Sequence, residues 1–298
     1  MQWVSLACAV AITLWGVVGC GGSTGTATLP RDSGEEGPFT AKAGFKPTAF
    51  TVEVRGEGRP VIFLPGLGCP GSVWDDTVKR LDAAVDGGIE AHVLTLAGFA
   101  GVKPIKPPLA AKTRQELVRY IRSRKLDRPI VVGHSMGGFI AYWLATTSSD
   151  AIGSIVVVDA GPALGESDDE DARRLRNMWA QAGDDELPIQ IRTVYSWMAR
   201  NKDALEPYFD EIAKSDRQTI GDAIYEMVTT DVREELERID VPVLLVLADG
   251  GLQGRYRAMA ATIPDREIVV VPKTKHFVMF DDPAGFTRVV AKFLAAHE

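Results

Sequence analysis

Seven short runs of β-branched and aliphatic residues punctuate the chain: Phe50–Arg55, Val61–Leu64, His92–Leu96, Ile130–Val132, Ile155–Val158, Val243–Leu247 and Ile268–Val271. Most are nearly continuous Val, Ile and Leu, the pattern of strands covered on both faces rather than of strands with one wet face. Between them, Ser72–Val85, Lys112–Arg124 and Phe139–Thr147 carry apolar residues at helical spacing. Pro283–Ala296 closes the chain with Phe286, Val289, Val290 and Phe293 on one face. Strand–helix alternation predicts an α/β fold: a mostly parallel, doubly wound sheet whose site lies where the C-terminal ends of the strands open.

One stretch breaks the rhythm. About 80 residues between Asp159 and Val243 contain no β-run. They begin acidic (Glu166, Asp168 to Asp171) and continue helical, which predicts four or five helices laid over the open end of the sheet. Their Met178, Trp179, Trp197, Met198, Tyr208 and Phe209 read first as helix core, because a helix must bury a stripe whatever its function, and second as a substrate wall. The expected organisation is a core of residues 45–162 and 239–298 with a helical cap at 163–238. A chain of 298 residues, 46% hydrophobic and 24% charged, can bury a core of that size. Its net charge of −7 and its lack of any Lys/Arg run longer than two exclude a nucleic-acid partner, since no basic stripe is present to displace counterions.

The first twenty residues contain no Asp, Glu, Lys or Arg, which reads as an export signal or a single membrane anchor. The tetrad Val17-Val18-Gly19-Cys20 resembles a bacterial lipobox. That resemblance implies a signal peptide over 1–19, cleaved before Cys20, whose thiol then carries lipid; an uncleaved anchor and ordinary secretion are the alternatives. Residues 20–44, rich in Gly, Ser, Thr and Pro, read as a flexible tether reaching about 25–30 Å. With Cys8 removed and Cys20 lipidated, Cys69 remains as a lone thiol and no internal disulfide is expected. The expected location is extracytoplasmic, on a bacterial membrane.

The strongest chemical signal is Gly133-His134-Ser135-Met136-Gly137, set between an apolar strand and a helix. In that context Ser135 occupies a sharp strand-to-helix turn that lifts its hydroxyl above the sheet, and Gly133 and Gly137 let neighbouring chains approach. A serine hydroxyl needs a base. Of the four histidines, His134 faces away across the turn, His92 lies in a strand and His297 is penultimate. His276, which follows the last strand at the same open end, is the candidate. The backbone N–H of Met136 and that of Leu67, in the loop after Val61–Leu64, are the expected oxyanion donors. That loop also spells Gly66-x-Gly68-x-x-Gly71, a dinucleotide fingerprint; the next strand ends without an Asp or Glu for a ribose, and Pro70 interrupts the turn, which argues against it. Cys69 reads as a small buried hydrophobe, with a reactive thiol as the alternative.

The order of oxyanion loop, Gly-x-Ser-x-Gly, helical insertion and late His276-Phe277-x-x-x-Asp281-x-Pro283 resembles an α/β-hydrolase with a helical cap, over residues 50 to 297. The resemblance implies a Ser–His–acid triad and water-dependent cleavage of an ester, thioester or amide. It leaves the acid open. The family's usual position beyond Val243–Leu247 is held by Gly250 and Gly251, with Asp249 one or two residues early, whereas the family's alternative position holds Asp159. Asp159 is the first choice and Asp249 the second.

The function expected from the sequence is therefore a serine hydrolase, a carboxylesterase acting on a small-molecule ester with a small or medium acyl group. It is expected to act as a monomer, without metal or organic cofactor. A peptidase or amidase, using Asp168 to Asp171 or Glu206 and Asp210 to hold a free amine, is the second reading. A non-catalytic receptor with an incomplete triad is the third.

Overall fold

The computed structural model describes residues 45–164 and 168–297. The predicted leader, the lipidation residue Cys20 and the tether lie outside these residues. Seven strands form one sheet: β1 (Phe50–Arg55), β2 (Arg59–Leu64), β3 (Ile89–Leu96), β4 (Ile130–His134), β5 (Ser154–Val158), β6 (Val243–Ala248) and β7 (Arg266–Val271). Their order is β1-β3-β2-β4-β5-β6-β7, with β1 antiparallel to β3 and every other pair parallel. All seven predicted runs are strands, and all residues of β4, β5 and β6 are buried. Each fully buried Val, Ile or Leu contributes about 1.5–3 kcal/mol, so these three strands carry much of the fold's stability. The edge strands β1 and β7 keep Glu53, Arg266 and Glu267 outward, which discourages pairing with another sheet. β3 begins three residues before its predicted start because Glu90 interrupts the apolar run; that carboxylate pairs with the buried His92 Nε2 at 2.8 Å.

Seven helices of ten residues or more are described: α1 (Asp75–Ala84), α2 (Leu109–Arg124), α3 (Met136–Ser148), α4 (Asp169–Ala180), α5 (Glu186–Met198), α6 (Arg217–Thr229) and α7 (Pro283–Ala296). α7 packs on α1 and α2 on α3. α3 starts at Met136 rather than at Phe139, where helical spacing first becomes visible, because Gly137 and Gly138 bring no side chain to a periodic stripe. Between β5 and β6 lie α4, α5 and α6 together with short helices Lys202–Leu205 and Phe209–Ile212. α4 and α6 pack along each other, and Asp168 and Asp216 cap their first turns through the N–H groups of Asp171 and Thr219. Core and substrate wall both occur among the apolar side chains singled out in this stretch. Phe209 is core and Trp179 and Met198 border a cavity, whereas Trp197 is 63% exposed and belongs to neither.

Topology positions the site. The strand order reverses at β2, whose neighbours are β3 on one side and β4 on the other. The loops leaving the C-terminal ends of β2 and β4 therefore diverge and leave a crevice between them. Residues 65–71 and Ser135 are those two exits.

Candidate active site

Ser135 stands between β4 and α3 with φ 53° and ψ −118°, a left-handed conformation that costs a non-glycine residue roughly 1–3 kcal/mol. Its N–H donates to Val158 O at 3.0 Å, and its carbonyl accepts from Phe139 N at 3.0 Å, so both flanks of the turn are held. The glycines permit the tight junction. A Cβ on Gly133 would lie 2.2 Å from Gly137 O, and one on Gly137 would lie 2.3 Å from Leu64 O. The start of α3 thus presses against the ends of β4 and β2, which points the Ser135 side chain into the crevice beside the β2 exit loop.

His276 follows β7, and its Nδ1 lies 2.8 Å from Asp159 Oδ2. Asp159, one residue past β5, also has positive φ (45°) and extends the sheet by one rung, its N–H donating to Val246 O at 2.9 Å. Its second oxygen accepts from Ala248 N at 3.0 Å. The carboxylate is thus braced on β6 while it holds the imidazole; its side chain is 7% exposed and that of His276 13%. A carboxylate only accepts, so the His276 Nδ1 carries a proton, and in the neutral imidazole the Nε2 lone pair is then the one open to a further proton. Such an imidazole can take a proton from a hydroxyl and pass it to a leaving group. Asp249 does something else: it is exposed, and its Oδ2 accepts from Lys273 N at 2.9 Å, fixing the turn (Lys273 φ 60°) that begins the His276 loop.

The loop is held from two further sides. Asp281 Oδ2 accepts from Lys275 N at 2.7 Å, while its Oδ1 accepts from Arg200 N and Asn201 N, both at 2.8 Å, tying the loop to the chain leaving α5. His134 is buried, and its Nε2–H donates to His276 O at 3.0 Å. Burial, and after it the nearby His276, hold its pKa well below the ordinary histidine value, so it remains neutral. His134 borders the same cavity as Ser135 and supports the other candidate residue. His92 is engaged by Tyr120 and Glu90, and His297 by Phe293 O.

Leu67 and Met136 line the same cavity, and the N–H of neither donates to any described residue. The exit loop's carbonyls, by contrast, are held from the helical segment. The Tyr195 hydroxyl on α5 donates to Leu67 O, and Ser215 Oγ donates to Gly68 O at 3.1 Å while accepting from Ala100 N at 2.9 Å. Neither residue carries a sequence signal, because each contact spans more than a hundred residues and depends on how the helices dock. The Gly66-x-Gly68-x-x-Gly71 loop leads through a 3-10 turn, Gly71–Trp74, into α1, and β3 ends at Thr95-Leu96 with no Asp or Glu placed for a ribose. Cys69 is buried, and desolvation pushes its thiol up to about 12, so it is not a reactive thiolate near neutral pH. Among the described residues no group of three or more His, Cys, Asp or Glu is placed to hold a metal ion.

The chain belongs to the alpha/beta hydrolase family, whose model matches residues 61–289. A candidate carbamate hydrolase of Azorhizobium caulinodans is 24% identical to it over 254 residues, 81% of this chain and 93% of that protein. A pimeloyl-[acyl-carrier protein] methyl ester esterase of Vibrio vulnificus is 21% identical over 261 residues, 81% of this chain and 96% of that one. Among solved structures, a thermophilic esterase from Thermogutta terrifontis superposes with a TM-score of 0.72 at 19% identity, over 84% of this chain and 94% of its own.

Proposed function

We propose that the protein is a serine hydrolase that cleaves carboxylic esters of small or medium acyl groups through an acyl-enzyme. Ser135 Oγ bonds to the ester carbonyl carbon as its proton passes to His276 Nε2. The N–H groups of Leu67 and Met136 hold the oxyanion, and the proton then leaves with the alcohol. Water, deprotonated by the same imidazole, attacks the acyl-enzyme and frees the acid and Ser135. Asp159 fixes the His276 tautomer and stabilises its cation. The observation that carries this reading is the 2.8 Å contact between His276 Nδ1 and Asp159 Oδ2 on the wall of the cavity that Ser135 lines. The methyl ester esterase among the relatives supports an ester as the bond cleaved.

The peptidase reading has no support in the cavity. Asp169, Glu170, Asp171 and Glu206 pair with Arg173, Arg174 and Arg192 at the surface, and Asp159 is the one carboxylate among the described residues that line the cavity. The receptor reading depends on a missing acid, and the 2.8 Å contact between Asp159 Oδ2 and His276 Nδ1 weighs against it. The proposal also includes a lipid tether on Cys20 holding the enzyme on the outer side of a bacterial membrane, supported by the uncharged first twenty residues and the Val17-Val18-Gly19-Cys20 tetrad. Hydrolysis of p-nitrophenyl butanoate tests the chemistry. Ser135→Ala lowers kcat/KM at least about a thousandfold; a variant as active as the parent would remove Ser135 from the reaction.

A further inference from the structure

We infer that the Tyr256 hydroxyl selects the substrate, donating a hydrogen bond to an uncharged oxygen that the ester carries besides its reacting group. This rests on the proposed ester hydrolysis and specifies its substrate class. Most side-chain nitrogen and oxygen atoms of the cavity lining already have a partner. Asp159 accepts from His276 Nδ1 and Ala248 N, the Tyr195 hydroxyl donates to Leu67 O, and His134 Nε2 donates to His276 O. His134 Nδ1 and Trp179 Nε1 are unpaired but closed even to water, so no substrate atom reaches them. Three atoms on the lining remain open and without a partner among the described residues: Ser135 Oγ, His276 Nε2 and the Tyr256 hydroxyl. The proposed reaction uses the first two and leaves the third without a task.

Tyr256 lies on the short helix Gln253–Met259 that follows β6, and it is 4% exposed. A Cβ on Gly161 would lie 2.8 Å from its Cδ1 and 2.9 Å from its Cε1, so the ring edge presses on the backbone two residues past Asp159. With so little of the residue at the surface, its open hydroxyl faces the cavity that the residue lines. Burial, and after it the charge of Asp159, hold its pKa well above the ordinary tyrosine value, so it keeps its proton and has one to donate. Leu164, Val194, Met198, Ile224 and Met227 make much of the remaining wall apolar, and no Lys or Arg lines it. A substrate carboxylate or phosphate would therefore meet the Asp159 charge with no counter-charge. A carbonyl, ether or hydroxyl oxygen completes the Tyr256 bond, whereas a plain alkyl chain leaves the donor unpaired. Sites built around such a donor discriminate strongly against the analogue that lacks the acceptor.

Matched esters test this: p-nitrophenyl pentanoate with 3-methoxypropanoate, p-nitrophenyl hexanoate with 5-oxohexanoate, and butyl with 2-methoxyethyl butanoate, which moves the oxygen to the alcohol side. Within each pair the ratio of kcat/KM, oxygenated over alkyl, is measured for the parent, Tyr256→Phe and Tyr195→Phe. The esters' intrinsic reactivities cancel when ratios are compared between proteins. Tyr195→Phe is the control, because that hydroxyl donates to Leu67 O and bears on every ester alike. The ratio for at least one pair is expected to fall about tenfold in Tyr256→Phe and to be retained in Tyr195→Phe. A second readout leaves position 256 intact. In Ser135→Ala protein labelled with ¹³Cζ-tyrosine, the Tyr256 signal, assigned by its loss when Tyr256→Phe is added, moves with the preferred oxygenated ester and not with its alkyl partner. Equal ratios in the parent and Tyr256→Phe, an equal loss in Tyr195→Phe, or a Cζ signal that both esters move alike would overturn the assignment while leaving ester hydrolysis standing. A parent inert toward every ester would overturn both.

Discussion

Asp159 and Asp249 each lie one residue past a central strand, yet their carboxylates reach different partners. Asp159 bridges Ala248 N and His276 Nδ1, and Asp249 accepts from Lys273 N. The difference sets unequal costs for the same substitution. Asp159→Asn removes the charge that stabilises an imidazolium and admits the wrong tautomer, so kcat is expected to fall about 10³–10⁴-fold. Asp249→Asn keeps an oxygen that accepts from Lys273 N, so kcat should fall less than about tenfold. Steady-state ester hydrolysis by the two variants decides between them, and the reverse order would assign the acid to Asp249. Ser135 and His276 were legible in the chain because a Gly-x-Ser-x-Gly between strand and helix, and a late His after the last strand, are local patterns. The acid was legible only as two choices. What separates them is the path of Asp159 across β6, a property of the assembled sheet that neither neighbourhood encodes.

At the scale of elements, alternating runs of Val, Ile and Leu make the sheet readable, because burial on both faces leaves a continuous apolar signature. The helical segment between β5 and β6 is less readable. Its apolar side chains serve three ends that hydropathy alone does not distinguish: Phe209 fills the core, Trp179 walls the cavity, and Trp197 faces outward. Its contribution to the exit loop of β2 is carried by single polar atoms, chiefly the Tyr195 hydroxyl on Leu67 O. We propose Tyr195 as a positioning residue: holding Leu67 O fixes the Leu67–Gly68 peptide, next to the Gly66–Leu67 peptide that carries the Leu67 N–H and is itself held by Cys69 N on Gly66 O at 3.1 Å. Tyr195→Phe loses one neutral hydrogen bond, worth about 0.5–1.5 kcal/mol, which corresponds to a fall of roughly two- to tenfold in kcat. KM is expected to stay within about twofold, since the cavity wall keeps its shape. A rise in KM with kcat unchanged would instead mark Tyr195 as a binding contact.

For the molecule as a whole, the described residues form the catalytic body, and no helix among them is long and apolar enough to cross a membrane. The proposed membrane attachment rests on Cys20 in the N-terminal segment. Cys20→Ser is expected to move the protein from the detergent-rich to the aqueous phase when bacterial membranes are extracted and phase-separated; unchanged partitioning would favour an uncleaved anchor. We propose that one fold assembles Ser135, His276, Asp159 and two backbone donors into a working nucleophile. Reaction of the purified protein with a fluorophosphonate, followed by mass spectrometry of the modified peptide, tests it without a guess at the substrate. One adduct per chain, on Ser135 and absent from Ser135→Ala, is the expected result. A folded protein that stays unmodified, or one labelled equally after Ser135→Ala, would contradict the account.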